Sequence, residues 1–154
     1  MNKQQKTLLI DQLDKKISLF APVQKVSPPG SGWIHGVRVA LGMTLKQLGN
    51  RLGISPQGVK DMENREKEGA ITLKSLREIG QALDMQLVYG FIPKENSLEK
   101  ALEVRAKEVA QEIVMRTSQT MLLEDQQVSR ETLERAILEK TKELIREMPK
   151  YLWD

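Results

Sequence analysis

Apolar residues recur every three or four positions along most of this chain, and that spacing predicts helices. The helical runs lie at 4–20, 33–42, 44–52, 55–67 and 72–83, with two more between 97 and 148. One stretch differs, because QLVYGFI at 86–92 is rich in β-branched and aromatic residues and is stopped by Pro93. We therefore predict a mainly α fold with one short β-strand and a C-terminal helical extension.

The predicted strand needs a partner, because a lone strand leaves its backbone groups unpaired. Its own copy in a second subunit is one candidate, and the short VQKV stretch at 23–26 is the other. The sequence does not decide between them.

Two short helices around a tight turn are predicted in the stretch TLKQLGNRLGISPQGVKDMENREK, which begins at Thr44. Thr44 and Ser55 are suited to cap the two helices, and Pro56 is suited to the first position of the second. Gly53 suits a left-handed turn, and Gly49 suits a close crossing of two helices. The combination is typical of a helix-turn-helix, whose second helix enters the DNA major groove.

The Pro- and Gly-rich stretch 21–32 predicts a linker, so we divide the chain into three parts. Residues 1–32 are an N-terminal helix and linker, 33–93 the helix-turn-helix domain with its trailing strand, and 94–154 a C-terminal helical region for dimerisation or a partner. The basic N-terminal helix either contacts DNA or packs on the domain or a second subunit. The C-terminal helices carry apolar stripes that a second subunit, a partner protein or the chain's own domain must cover.

The first helix of the domain is predicted to turn Trp33, Val37, Ala40 and Leu41 inward. His35 is expected on the surface. No second histidine and no cysteine exists to complete a metal site or a nucleophile pair.

Composition narrows the function classes. The chain lacks cysteine, and no Gly-rich phosphate loop precedes a helix, so we predict neither an enzyme nor a cofactor or metal site. No apolar run is long enough for a bilayer, which predicts a cytoplasmic, nucleoid-associated protein.

The net charge of +3 is unevenly distributed, because 1–32 carries +3 and 33–77 carries +4 while 78–93 and 94–154 carry −2 each. The basic excess coincides with the predicted DNA-binding region, as a polyanion surface requires.

The second helix of the motif supplies the predicted base contacts, which are Ser55, Pro56, Gln57, Lys60, Asp61 and Asn64. Asp61 would repel phosphate, so we expect it either to accept from cytosine or to pair with Lys60 or Arg65. The predicted DNA-backbone contacts are Thr44, Lys46, Gln47, Arg51, Thr72 and Lys74.

Three stretches and the chain end together resemble the mobile mystery protein A family. They are GWIHGVRVALGMTLKQLGNRLGISPQGV, ENREKEGAITLKSL, LVYGFIP and the closing YLWD. The resemblance runs from about residue 5 to the end, whereas the general Cro/CI-like (XRE, lambda-repressor-like) pattern covers 34–84. It implies a DNA-binding repressor of its own operon that resembles antitoxins. Members of the family are typically encoded beside mobile mystery protein B, a Fic-domain protein that modifies targets by nucleotidyl transfer.

This chain departs from two patterns, that of many Cro/CI-like proteins and that of known Fic inhibitors. Many Cro/CI-like proteins place a DNA-contacting glutamine where this chain has Leu45. Known Fic inhibitors often carry Ser or Thr four residues before a Glu that Gly or Asn follows. At Glu63, Glu68 and Glu95 that position holds Val59, Asn64 and Phe91.

The function we predict is a dimeric, sequence-specific repressor on a palindromic operator, which also acts as the antitoxin of a Fic-type toxin. The alternative is a protein–protein module that neutralises a partner through its helices without specific DNA binding.

Overall fold

The computed structural model of the chain describes residues 1–123 and 129–154. Seven α-helices lie in these ranges: α1 (Lys3–Phe20), α2 (Trp33–Ala40), α3 (Leu45–Leu52), α4 (Pro56–Glu68), α5 (Leu73–Ala82), α6 (Leu98–Leu123) and α7 (Arg130–Glu147). Short 3-10 helices cover Ala21–Lys25 and Lys150–Trp153. The predicted mainly helical fold is confirmed. The break that we predicted at 125–127 lies outside the described residues.

The chain forms two compact units. The central unit is 25–89 and contains α2 to α5, whereas the terminal unit combines 1–24 with 90–154 and contains α1, α6 and α7. In chain order, the central unit thus lies between α1 and α6, which both belong to the terminal unit. The role that we predicted for the C-terminal region stays a prediction.

The core of the central unit consists of apolar side chains from its four helices. Leu48, Val59 and Ile79 are buried there, and Val37 and Met62 pack against them. Burial of side chains of this size is the main favourable term that holds α2 to α5 together.

The core of the terminal unit lies mainly between α6 and α7. Ala106 and Ala110 are buried one turn apart on α6, and such small residues let α7 approach closely. Leu144 packs there from α7, and Leu152 reaches the same core from the last 3-10 helix. The Leu152 side chain is fully buried there.

The N-terminal helix packs on α6 without a buried residue of its own. Asp14 accepts hydrogen bonds from the first backbone N–H groups of α6, at 2.7 Å from Leu98 and 3.1 Å from Glu99. Its carboxylate satisfies helix-end donors and opposes the positive end of the helix dipole. The structure thus shows that this helix packs on α6, whereas contacts with DNA or with a second subunit stay predictions.

The predicted strand at 86–92 is wrong, because no strand occurs in the described residues and this stretch has no regular secondary structure. The linker did not provide the second strand, since most of VQKV belongs to the 3-10 helix Ala21–Lys25. Val88 and Phe91 are instead 71% and 89% exposed. β-propensity describes a side chain that fits a pleated surface, and no such surface forms here without a ladder partner.

The predicted inner face of α2 is also wrong in part. Trp33, Ala40 and Leu41 are exposed, whereas Ile34 and Arg38 are buried and Val37 is half-buried. Ile34 and Arg38 are four residues apart and therefore share the buried face, where Arg38 pairs with Glu63 of α4.

None of the helices in the described residues combines the length and apolarity needed to cross a membrane.

Candidate nucleic-acid interface

The turn between α3 and α4 has the geometry that its glycines predict. Gly53 takes the left-handed conformation with φ +70°, which carries a cost for residues with a side chain. A Cβ on Gly49 would lie 2.7 Å from the Ile54 carbonyl oxygen, so only glycine lets the two helices cross here. Both predictions for this turn are confirmed, and the turn fixes the direction in which α4 leaves α3.

Hydrogen-bonded caps set the first residue of each helix. Thr44 Oγ1 accepts from the Gln47 N–H at 3.1 Å, and Gln47 Oε1 accepts from the Thr44 N–H at 2.8 Å. Ser55 Oγ accepts from the Gly58 N–H at 3.0 Å, and Pro56 occupies the first position of α4. These pairings satisfy helix-end donors and confirm the predicted caps.

Burial of Val59 in the core turns the opposite side of α4 outward. The predicted base-contact residues are all exposed on that helix or at its cap, namely Ser55, Pro56, Gln57, Lys60, Asp61 and Asn64. Within this set Gln57 Nε2 donates to Asp61 Oδ1 at 2.9 Å. Asp61 therefore pairs with Gln57 and not with Lys60 or Arg65, whereas our other alternative, that Asp61 accepts from cytosine, stays a prediction.

The predicted backbone-contact residues lie at the starts of α3 and α5, apart from one. Thr44, Lys46 and Gln47 begin α3, and Thr72 and Lys74 begin α5, all of them exposed. Arg51 lies near the end of α3, where Nη1 donates to the Ala82 carbonyl at 3.0 Å and lies 3.7 Å from Asp84 Oδ2. Its guanidinium thus already binds the end of α5.

Two carboxylates of α4 point away from this surface toward α2. Glu66 accepts from the Trp33 and Ile34 N–H groups at 2.8 Å each, which caps the first turn of α2. Glu63 is only 2% exposed, and Arg38 Nε donates to its Oε1 at 2.5 Å. Without these two carboxylates and Arg38, the stretch 33–77 carries seven basic and two acidic residues, a net charge of +5 instead of +4.

The Glu63 carboxylate belongs to a buried cluster. His35 Nδ1 lies 3.0 Å from Glu63 Oε2, and Arg38 Nη1 donates to the Met43 carbonyl at 2.8 Å. The His35 side chain is 34% exposed, so it reaches the surface as predicted while Nδ1 of its ring contacts Glu63. The cluster joins α2 to α4 and thereby holds the helix that carries the candidate base contacts.

Arg38, Glu63 and Glu66 are the residues that the sequence did not single out. A signal was present, because Arg38 follows Ile34 by four residues and Glu63 follows Val59 by four, so both occupy core-facing positions. Charged residues of opposite sign at such positions on two helices indicate a buried ion pair.

Burial alone would raise the pKa of Glu63, but the hydrogen bonds and charges of Arg38 and His35 outweigh burial and lower that pKa below its ordinary value. A carboxylate whose pKa is lower in the folded state stabilises the fold above its unfolded pKa of about 4.3. That contribution is lost as the pH falls through the lowered folded value.

We expect the Glu63→Gln variant to reproduce this loss at neutral pH. The difference in unfolding free energy between wild type and variant should be largest near pH 7. It should shrink below about pH 4.3, where the unfolded chain takes up a proton at this carboxylate before the folded protein does. Urea unfolding at a series of pH values measures it. A difference that stays constant down to pH 3 would show that the charge of Glu63 does not stabilise the fold.

The central unit matches a known family in comparison with other proteins. Residues 34–89, which include α2 to α5, match the family described as helix-turn-helix. Residues 34–89 form a Cro/CI-like helix-turn-helix domain. Such domains bind double-stranded DNA and occur in transcription regulators. Neither the curated proteins nor the solved structures provided a match to the chain.

The matched range includes both α3 and α4, the helices on either side of the capped turn. The second of them, α4, is therefore the predicted recognition helix.

Proposed function

We propose that the chain is a sequence-specific transcription repressor that binds a palindromic operator as a dimer. The observation that carries the proposal is the exposed row on the recognition helix, where Gln57, Lys60, Asp61 and Asn64 follow one another at helical spacing. A single recognition helix reads only a few base pairs, so two subunits on half-sites about one DNA turn apart provide specificity.

The hydrogen bond between Gln57 and Asp61 supports base readout by Gln57. A glutamine amide has two N–H donors and one acceptor oxygen. Asp61 engages one donor, which leaves the second donor and the oxygen for the N7 and N6 groups of an adenine. The carboxylate thus holds the amide in position before DNA binds.

Lysines supply the charge for the DNA backbone. Lys46, Lys60 and Lys74 are exposed, and none forms an ion pair with another described residue. An ammonium group without a nearby carboxylate gives up little when it binds phosphate. Lys60 also lies on the recognition helix, where it can reach the O6 and N7 acceptors of guanine.

Replacement of Gln57 or Lys60 by alanine should weaken operator binding by about 1–3 kcal/mol each and relax the preference at one position per half-site. Gel shifts with the DNA upstream of the gene measure the loss of affinity. Gel shifts with single-base variants of the bound site measure the change in base preference. Lys107→Ala is the control, because Lys107 is exposed on α6 in the terminal unit.

If both variants bind like wild type while Lys46→Ala does not, α4 is not the reading helix. If the wild-type chain shows no preference for the upstream DNA over unrelated DNA, the protein–protein module is the better explanation.

We further propose that the operon encodes a Fic-type toxin and that this chain is its antitoxin. The support is the sequence resemblance to the mobile mystery protein A family. The direct test is co-expression of the neighbouring gene with and without this chain. The antitoxin role is contradicted if the neighbouring product stops growth and co-expression of this chain does not restore it. That outcome would leave the DNA-binding proposal intact.

A further inference from the structure

An apolar groove lies beside α1 on the terminal unit. It has a volume of about 530 Å³, and its apolar lining includes Leu9, Ile10, Leu98, Leu102, Met148 and Trp153. Trp153 is 63% exposed, although it is one of only two tryptophans in the chain. Large apolar side chains that stay exposed around a concave surface mark an interaction site.

Two lysines border this groove. Lys6 and Lys150 belong to its lining, which contains no acidic residue. Lys6 Nζ donates to the Met148 carbonyl at 3.5 Å, and neither ammonium group pairs with a carboxylate among the described residues. The lining of the groove therefore combines apolar side chains with two positive charges and no negative one.

We propose that this groove binds an acidic amphipathic helix of a partner protein. Apolar side chains at i, i+4 and i+7 of such a helix would fill the groove, as in other helix-in-groove complexes. Aspartate or glutamate residues beside them would pair with Lys6 and Lys150. The proposal goes beyond DNA binding, because every lining residue belongs to the terminal unit.

Charge favours this occupant over a second copy of the chain. A two-fold interface centred on this groove would bring Lys6 and Lys150 of both copies into one contact region, where the lining offers no acidic residue to pair with them. Like charges at an interface oppose association. A partner with acidic residues beside its apolar anchors avoids this repulsion.

The test uses the full-length chain labelled with ¹⁵N and two synthetic amphipathic peptides of about four helical turns. Both peptides carry the same leucines, with glutamates beside them in one and lysines in the other. We expect the glutamate peptide to shift the amide signals of Leu9, Ala101 and the indole N–H of Trp153. The lysine peptide should bind at least about tenfold more weakly, because it meets the lysines of the groove.

A pair of matched variants locates the charge effect. Lys150→Glu should weaken binding of the glutamate peptide by at least about threefold, whereas Lys107→Glu, the same change elsewhere on the terminal unit, should leave it unchanged. The indole signal of Trp33, which lies in the central unit, should not move.

Equal binding of both peptides, or no shift of the groove signals by the glutamate peptide at millimolar concentration, would overturn the proposal. If anionic lipid vesicles broaden the groove signals and the glutamate peptide does not shift them, the ligand of the groove is a membrane surface instead. A dimer in sedimentation that Trp153→Ala converts to a monomer would identify the groove as a self-interface. The self-interface outcome would support the dimer of the proposed repressor, whereas the other outcomes leave operator binding through α4 untouched, so the two proposals fail separately.

Discussion

Replacement of Arg38 by alanine should lower the unfolding free energy of the central unit by about 3–5 kcal/mol. Arg38 is buried and donates to Glu63 Oε1 and to the Met43 carbonyl. Without it, the Glu63 carboxylate would stay in the core with only the half-buried His35 beside it. A buried charge that has lost its main partner costs far more than the pair contributed.

Urea unfolding followed by Trp33 fluorescence measures this loss, in a Trp153→Phe background that leaves one reporter in the central unit. An exposed ion pair of the same unit supplies the control: Asp84→Asn removes the charge that lies 3.7 Å from Arg51 Nη1 and should cost at most about 1 kcal/mol. An Arg38→Ala variant that is no less stable than the control variant would contradict the account of the cluster.

The double variant Arg38→Met, Glu63→Leu separates charge from packing. Since both charges are removed together, its stability should lie within about 1–2 kcal/mol of wild type or above it. A double variant as unstable as Arg38→Ala would show that the contact between α2 and α4 needs the ion pair itself.

Operator binding should weaken by about 10³-fold between 50 and 200 mM salt. Lys46, Lys60 and Lys74 are exposed without an ion pair to a described residue, whereas Arg51 is bound to the end of α5. Three lysines in each subunit of a dimer neutralise about six phosphates, and each releases about 0.9 counterion from B-DNA. The plot of log affinity against log salt should therefore have a slope of about −5.

The same plot tests the dimer, because one substitution changes both subunits. Lys46→Ala should make the slope shallower by about 2 if two subunits bind and by about 1 if one does. Lys107→Ala on α6 should leave the slope unchanged. Fluorescence anisotropy with labelled operator at five or more salt concentrations, together with sedimentation of the complex, measures these values. A nearly flat salt dependence would exclude the proposed contacts and favour the protein-module alternative.

The helix boundaries of the central unit were predictable from the sequence because they depend on neighbouring residues. Thr44, Ser55 and Thr72 each cap a helix by accepting from an N–H three residues on, and Gly53 and Gly69 end helices in the left-handed conformation. Interactions over three or four positions leave a local pattern that can be read directly. The helix-turn-helix and its exposed row follow from that pattern.

Pairings between distant residues had no such pattern and were decided by tertiary structure. The strand prediction at 86–92 failed because a strand exists only with a partner, and propensity alone does not show whether the fold places one alongside. Glu63 and Arg38 are 25 residues apart, and Asp14 caps α6 across 84 residues. Composition and spacing determined which segments become helices and which side of α4 faces solvent. The packing of those helices decided that Arg38 is buried, that Arg51 binds the end of α5 and that a groove stays open beside α1, because each depends on where a distant helix lies.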